Sequence, residues 1–134
     1  MKMYEKGGEW SVKVNHKITG AEREVMEVLW RYSEPVQTKE LLEQMKEKGR
    51  NWKRQTLNTL LFRLEEKGIV NRRRAYVQAA LSEEELLQLQ TQEILDDFYG
   101  GKYGNFFAAL TGRKTIDSES EALLDSLMNK LKKQ

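Results

Sequence analysis

Apolar residues recur at helical spacing through most of the chain and switch to alternation in short stretches near residues 10–14 and 69–79. Leu57, Leu60, Leu61 and Leu64 fall at i, i+3, i+4 and i+7, which predicts a helix burying one leucine stripe. At about 100° per residue, Gln55, Asn58, Thr59 and Phe62 then point the opposite way, flanked by Thr56 and Arg63. Upstream, Thr19-Gly20-Ala21-Glu22 reads as a capping box. The helix it opens should run to about Tyr32 with Val25, Met26, Leu29 and Trp30 inward, until Ser33-Glu34-Pro35 breaks it. A second helix is predicted from Gln37 or Thr38, burying Leu41, Leu42 and Met45 and stopping at Gly49; the leucine-striped third helix stops at Gly68. Two strands follow, at residues 69–72 and 75–79, around a tight turn at Arg73-Arg74. Three helices and a small hairpin in this order predict a winged variant of the helix-turn-helix.

The remainder is helical in pattern. Ser82-Glu83-Glu84-Glu85 reads as a second capping box, opening the longest helix, which ends at Gly100-Gly101. Residues 103–110 are compact and apolar and end at Thr111-Gly112-Arg113; Ser118-Glu119-Ser120-Glu121 reads as a third capping box. These segments carry Leu86, Leu87, Ile94, Leu95, Phe98, Tyr99, Phe106, Phe107, Leu110, Leu123, Leu124, Leu127 and Leu131. Three short apolar segments lack the mass for a core of their own, since chains below about 40 residues rarely fold alone. Packing against a second copy would cover them. The organisation expected is therefore a tail at 1–17, a winged-helix domain at 18–81 and a helical dimerisation region at 82–134. In the tail, Trp10, Val12 and Val14 alternate, a pattern that fits either a short edge strand or no ordered element.

The formal net charge of +2 hides a strong asymmetry. Lys46, Lys48, Arg50, Lys53, Arg54, Arg63, Lys67, Arg72, Arg73 and Arg74 face only Glu47, Glu65 and Glu66 across residues 46–74, whereas residues 81–101 hold acids and no base. Such a distribution separates a surface suited to a polyanion from one that repels it. With Cys 0, disulfides and thiolate metal sites are excluded. Neither a membrane span nor a signal-peptide core is legible, which leads to the expectation of a soluble cytoplasmic protein.

The outer face of the third helix offers amides, hydroxyls, a guanidinium and an aromatic ring, the groups that read base edges in a major groove. A helix needing only solubility would usually carry Glu and Lys there. The expected DNA-binding set is Lys53, Arg54, Gln55, Thr56, Asn58, Thr59, Arg63, Arg72, Arg73 and Arg74, with Arg54 and Arg63 on phosphates and Phe62 packed on the wing. Trp30 and Trp52 are expected as core or rim residues, as is Trp10, because the aromatic pairs of single-strand binders are missing. His16 is expected to be exposed. Glu83-Glu84-Glu85 suits a first helical turn better than acid–base catalysis, for which no second group is present. No phosphate loop, nucleophile elbow or zinc-spaced set occurs, so no enzyme activity, metal or cofactor is expected.

The residues from about Thr19 to Gly101 resemble the penicillinase-repressor family of bacterial winged-helix regulators. The resemblance rests on Thr19-x-Ala21-Glu22-x-x-Val25-Met26-x-x-Leu29-Trp30, on Thr56-Leu57-x-Thr59-Leu60-Leu61-x-Arg63-Leu64-x-x-Lys67-Gly68-Ile69, and on Tyr99-Gly100-Gly101. It implies a homodimer that sits on a palindromic operator of double-stranded DNA and represses transcription. The wing, Arg72-Arg73-Arg74-Ala75-Tyr76, is shorter than is usual in such repressors. Some members have a membrane sensor protease as partner, cut at an Asn-Phe bond past Tyr-Gly-Gly; here Asn105-Phe106 comes too soon, and Ala109-Leu110 stands at the aligned position. The carboxy-terminal cysteine cluster of copper-responsive relatives is missing. The reading in a different class is a winged-helix adaptor whose basic helix docks an acidic protein.

Overall fold

The computed structural model describes residues 2–6, 9–13 and 15–134, with side chains from residue 15 onward. The elements run β1 (Lys2–Lys6), β2 (Glu9–Lys13), α1 (Gly20–Leu29), β3 (Val36–Gln37), α2 (Thr38–Glu47), α3 (Arg54–Glu66), β4 (Val70–Arg73), β5 (Tyr76–Ala79), α4 (Glu83–Tyr99), α5 (Tyr103–Leu110) and α6 (Ser118–Lys132). They form two compact units, Met1–Gln90 and Thr91–Gln134. The first unit is a mostly helical winged helix. The tail forms an antiparallel hairpin of β1 and β2, with Met3 opposite Val12 and Glu5 opposite Trp10; Val14 and the side chains of Trp10 and Val12 lie outside the described residues.

The core of the first unit is built by the predicted stripes. Val25, Met26 and Leu29 of α1, Leu41 and Met45 of α2, and Leu57, Leu60, Leu61 and Leu64 of α3 are buried together with Ile69, Val70 and Val77. Each fully buried side chain of this size contributes about 1.5–3 kcal/mol. Val28 joins them, while Leu42 and Trp30 are only half-buried at the edge. Gly49 and Gly68 end α2 and α3 with positive φ, and both exits close in the same way. At the second, Gly68 N–H donates to Glu65 O and Ile69 N–H to Leu64 O, which satisfies orphan carbonyls and turns the chain sharply into β4.

The sheet has three strands in the order β3-β5-β4. β3 was not legible in the sequence: only two residues, 36 and 37, pair with Val77 and Tyr76. The hairpin turn falls at Arg74-Ala75, one residue later than Arg73-Arg74, because Arg73 pairs with Tyr76 across the ladder. Arg74 therefore sits at φ 57°, a conformation that costs a non-glycine residue roughly 1–2 kcal/mol. Thr38 holds this strained turn through its N–H and hydroxyl, both donating to Ala75 O, at 2.8 and 3.2 Å.

Corrections also arise at helix starts. α6 is capped by Asp117 rather than Ser118: the Asp117 carboxylate accepts from Ser120 N–H at 2.7 Å and from its hydroxyl, and these bonds hold its pKa below the ordinary carboxylate value. Ser82 and Glu85 do form the predicted box on α4. The start of α4 is fastened to α1, since Trp30 Nε1 donates to Leu81 O at 2.9 Å and Arg23 pairs with Glu83 at 3.5 Å. Leu86, expected on a face between copies, is for that reason buried in the core of the first unit. His16, expected to be exposed, is half-buried, and its carbonyl accepts from Gln90.

One charged group is nearly fully buried. Glu22, 1% exposed, accepts from Thr19 N–H at 3.0 Å to complete the capping box, and from Lys67 Nζ at 3.1 Å. Lys67 is the cap residue at the end of α3 and also donates to Lys17 O at 2.8 Å. The pair pins the exit of α3 to the entrance of α1. Removing the ammonium leaves a carboxylate uncompensated in the core, so Lys67→Met should destabilise the fold by about 3 kcal/mol, the low end for a buried pair because Lys67 is 24% exposed. Glu22→Gln combined with Lys67→Met keeps the capping acceptor without the charge and should recover most of that loss. Urea unfolding of the three proteins checks this, and equal stability of Lys67→Met and the parent would refute it.

Candidate nucleic-acid interface

α3 starts against the usual rules for helix stability. Its cap residue, Lys53, makes no side-chain cap bond and its first turn holds no acid, features it shares with α5, which Lys102 precedes, whereas α1, α2, α4 and α6 all place Glu in theirs. The first N–H groups of α3 and the positive end of its dipole are met by Lys53 and Arg54, which raise the local positive potential instead of neutralising it. An uncapped, basic helix start is suited to a phosphate.

Beyond that start, burial of the leucine stripe turns the predicted face outward. Gln55, Thr56, Thr59 and Arg63 are exposed, and Asn58 is half-buried. Thr59 donates its hydroxyl to Gln55 O at 3.0 Å, a bond within the helix. Phe62 does not pack on the wing as expected: it is 54% exposed, because it lies on the side of α3 opposite the stripe. An exposed ring there is suited to apolar contact with a thymine methyl. On the wing, Arg73 and Arg74 are exposed, while Arg72 is half-buried and donates Nη2–H to Asn58 Oδ1 at 3.3 Å.

Ion pairing sorts the basic residues of 46–74 into two groups. Three acids of α1 take three of them: Glu22 pairs with Lys67, Glu24 with Arg50 at 2.7 Å and Glu27 with Lys48 at 3.7 Å. Arg50 also lies 5.7 Å from the ring centre of half-buried Trp52. Among the described residues, Lys53, Arg54, Arg63, Arg73 and Arg74 make no ion pair. Apart from Lys46 of α2, which also has no ion pair among the described residues, the unneutralised charge of 46–74 lies at the start and outer face of α3 and on the wing. Glu83 and Glu85 are engaged with Arg23 and the Ser82 cap, and among the described residues no cluster of His, Asp or Glu could hold a metal ion.

The second unit is small and thinly cored. Gly104 and Ala108 are its buried residues, and a Cβ at Gly104 would lie 3.0 Å from Ile116 Cδ1, a tight contact that the Ile116 side chain would have to relieve by a small shift. Tyr103 O–H donates to Asp125 at 2.7 Å, which raises the phenol pKa because ionisation would lose the bond beside a carboxylate. Phe106 meets Tyr99 and Phe107 edge to face. Leu95, Tyr99, Phe106 and Leu124 are half-buried, whereas Ile94, Phe98, Phe107, Leu110, Leu123, Leu127 and Leu131 are exposed, as is Leu87 in the first unit. Phe98 reaches 76% exposure and both Leu110 and Leu123 reach 67%, values at which these side chains contribute little to the fold of one chain. Among the described residues no helix is long and apolar enough to cross a membrane.

The Asn58–Arg72 bond and the bare start of α3 do not figure among the sequence-based expectations. The uncapped start was open to detection, since Asn51-Trp52-Lys53-Arg54 holds no acid where a helix usually begins with one. The bond was not, because it joins positions on separate elements.

Comparison with known proteins places the chain in a family. Over 117 residues the chain is 30% identical to the "Uncharacterized 16.5 kDa protein in ptsI 3'region" of Latilactobacillus sakei, an alignment covering 84% of this chain and 79% of that protein. Over 89 residues it is 32% identical to the penicillinase repressor of Bacillus licheniformis, covering 63% of this chain and 68% of the repressor. The profile of the penicillinase repressor family matches residues 18–130, which takes in the winged helix, its basic face and nearly all of the second unit. The chain belongs to the penicillinase repressor family, a family of DNA-binding transcriptional repressors.

Proposed function

We propose that this protein is a homodimeric repressor that binds a palindromic operator, with α3 in the major groove and the wing on the adjacent backbone. The observation that carries this reading is the segregation of charge. Lys53, Arg54, Arg63, Arg73 and Arg74 stay unpaired around a polar helix face, while Glu27, Glu24 and Glu22 of α1 neutralise Lys48, Arg50 and Lys67. In this reading Gln55, Thr56, Asn58, Thr59 and Phe62 face base edges, and the unpaired cations and the bare start of α3 hold phosphates. Occupying the operator excludes other proteins from that DNA, which is repression in its simplest physical form.

The exposed apolar residues of 91–134 support the second copy. Ile94, Phe98, Phe107, Leu110, Leu123, Leu127 and Leu131 would be covered by the same residues of a partner across a two-fold axis, with the winged helix at 18–81 reading one half-site per copy. Two recognition helices would then meet half-sites about 34 Å apart or a multiple of that. Processing by a sensor protease does not form part of this reading. Asn105-Phe106 lies within α5, Asn105 Nδ2 donates to Tyr99 O at 3.4 Å, and cleavage there would need the helix to open first.

Arg73→Ala should weaken binding to operator and random duplex alike and lower the slope of log affinity against log salt by about 1. Titration at several salt concentrations measures it, and a loss confined to one sequence would move Arg73 to base readout. Wild-type preference for a selected duplex over random DNA should exceed about 10³-fold, and absence of any preference would favour docking of an acidic protein instead. Sedimentation should give a dimer at micromolar concentration, whereas Leu110→Asp with Leu123→Asp, both exposed in the protomer, should give a folded monomer whose operator affinity falls by about 10²- to 10⁴-fold. A monomeric wild type would sink the dimer. Co-expressed with a penicillin-responsive sensor protease, the chain should remain intact; mass analysis finding a cut at Asn105-Phe106 that coincides with derepression would overturn that expectation.

A further inference from the structure

The bond that ties the wing to α3 also constrains which base α3 can accept. Asn58 is half-buried on α3, and Arg72, half-buried on β4, donates to its side-chain oxygen at 3.3 Å. A guanidinium carries donors only, so the atom it faces has to be the amide oxygen, and the amide cannot be turned over without setting donor against donor. Among the described residues the amide nitrogen of Asn58 has no acceptor of its own.

A free asparagine offers one acceptor and one donor side by side, which matches N7 and N6–H of adenine. Here the oxygen is engaged, and the guanidinium beside it repels any further N–H donor that approaches. The pair therefore presents donors alone, the two N–H groups of Asn58 and the remaining N–H groups of Arg72. Guanine is the base whose major-groove edge holds two acceptors, O6 and N7, and no donor; adenine and cytosine each bring an amino group to that edge. We propose that Asn58, fixed by Arg72, makes this protein select guanine over adenine at the base pair it faces. Asn58 is the specificity-determining residue and Arg72 a positioning residue. The inference rests on the proposed placement of α3 in the major groove.

Selection from a pool of duplexes with a randomised centre tests it, using the full-length chain as wild type, Asn58→Ala, Arg72→Met and Arg72→Lys. The position whose preference disappears in Asn58→Ala is the one Asn58 faces. There the wild type should prefer guanine over adenine by about 10-fold, the discrimination expected of one good base contact. Arg72→Lys keeps a donor against the oxygen and should keep guanine, whereas Arg72→Met frees the oxygen and should move the preference to adenine. A wing that had merely become unstable would weaken binding without exchanging one base for another. As a check that needs no Arg72 variant, 7-deazaguanine at that position, which lacks the N7 acceptor, should lower wild-type affinity several-fold and leave Asn58→Ala unchanged. Adenine selected by the wild type, guanine retained by Arg72→Met, or indifference of the wild type to 7-deazaguanine overturns this inference alone. Failure of the wild type to select any sequence overturns it together with the major-groove reading.

Discussion

Burying Leu57, Leu60, Leu61 and Leu64 fixes the rotation of α3 about its own axis, and the proposed DNA-binding surface depends on that constraint. A helix has one rotation that puts such a stripe into the core, and a shift of one residue would turn it by about 100° and bring polar groups inward. With the stripe buried, Gln55, Thr56, Thr59, Phe62 and Arg63 have no position other than the outside. The remaining freedom, sliding along the axis, is removed at the far end by Lys67 on buried Glu22 and by the left-handed turn at Gly68. The same carboxylate closes the cap of α1, so one buried group sets both the start of the first helix and the exit of the third.

The electrostatics follow from this placement. A net charge of +2 gives no account of polyanion binding, but its distribution does. Because α1 packs beside α2 and α3, its buried Glu22 reaches Lys67 and its Glu24 and Glu27 reach Arg50 and Lys48, so that the bases left over are, apart from Lys46 of α2, those at the start of α3, on its outer face and on the wing. At exposed sites such pairs add little stability, on the order of 0–1 kcal/mol. Their larger effect is on the field, which they confine to one side of the winged helix.

The two units differ in how they manage apolar surface. Residues up to Gln90 enclose a core of leucines, valines and methionines within one chain, while residues from Thr91 onward leave large side chains in solvent around two buried small residues. A unit that short cannot enclose its own hydrophobic groups. In the proposed dimer a second copy of the chain would cover them, and this shortage would become the means of holding two reading heads together, so that stability of the second unit and affinity of the first would be one quantity.

Much of this was decided by the sequence itself. The periods of the apolar residues and the glycines at 49, 68, 100 and 112 laid out α1 to α6, the capping boxes at Thr19 and Ser82 set two starts, and the leucine stripe alone determined which residues of α3 face outward. These are local properties, governed by φ, by side-chain direction and by bonds spanning three or four residues. What the tertiary structure decided involves residues far apart along the chain. β3 exists because two residues meet β5, the wing turn moved to Arg74-Ala75 because ladder register placed Arg73 opposite Tyr76, and Leu86 went to the core because Trp30 and Arg23 hold the start of α4. Phe62 stayed in solvent because the wing does not cover it, and Asn58 acquired its fixed amide only when β4 brought Arg72 beside α3. A sequence pattern tells which face of an element is apolar; which atom of one element meets which atom of another depends on the packing of both, and only the folded chain fixes that.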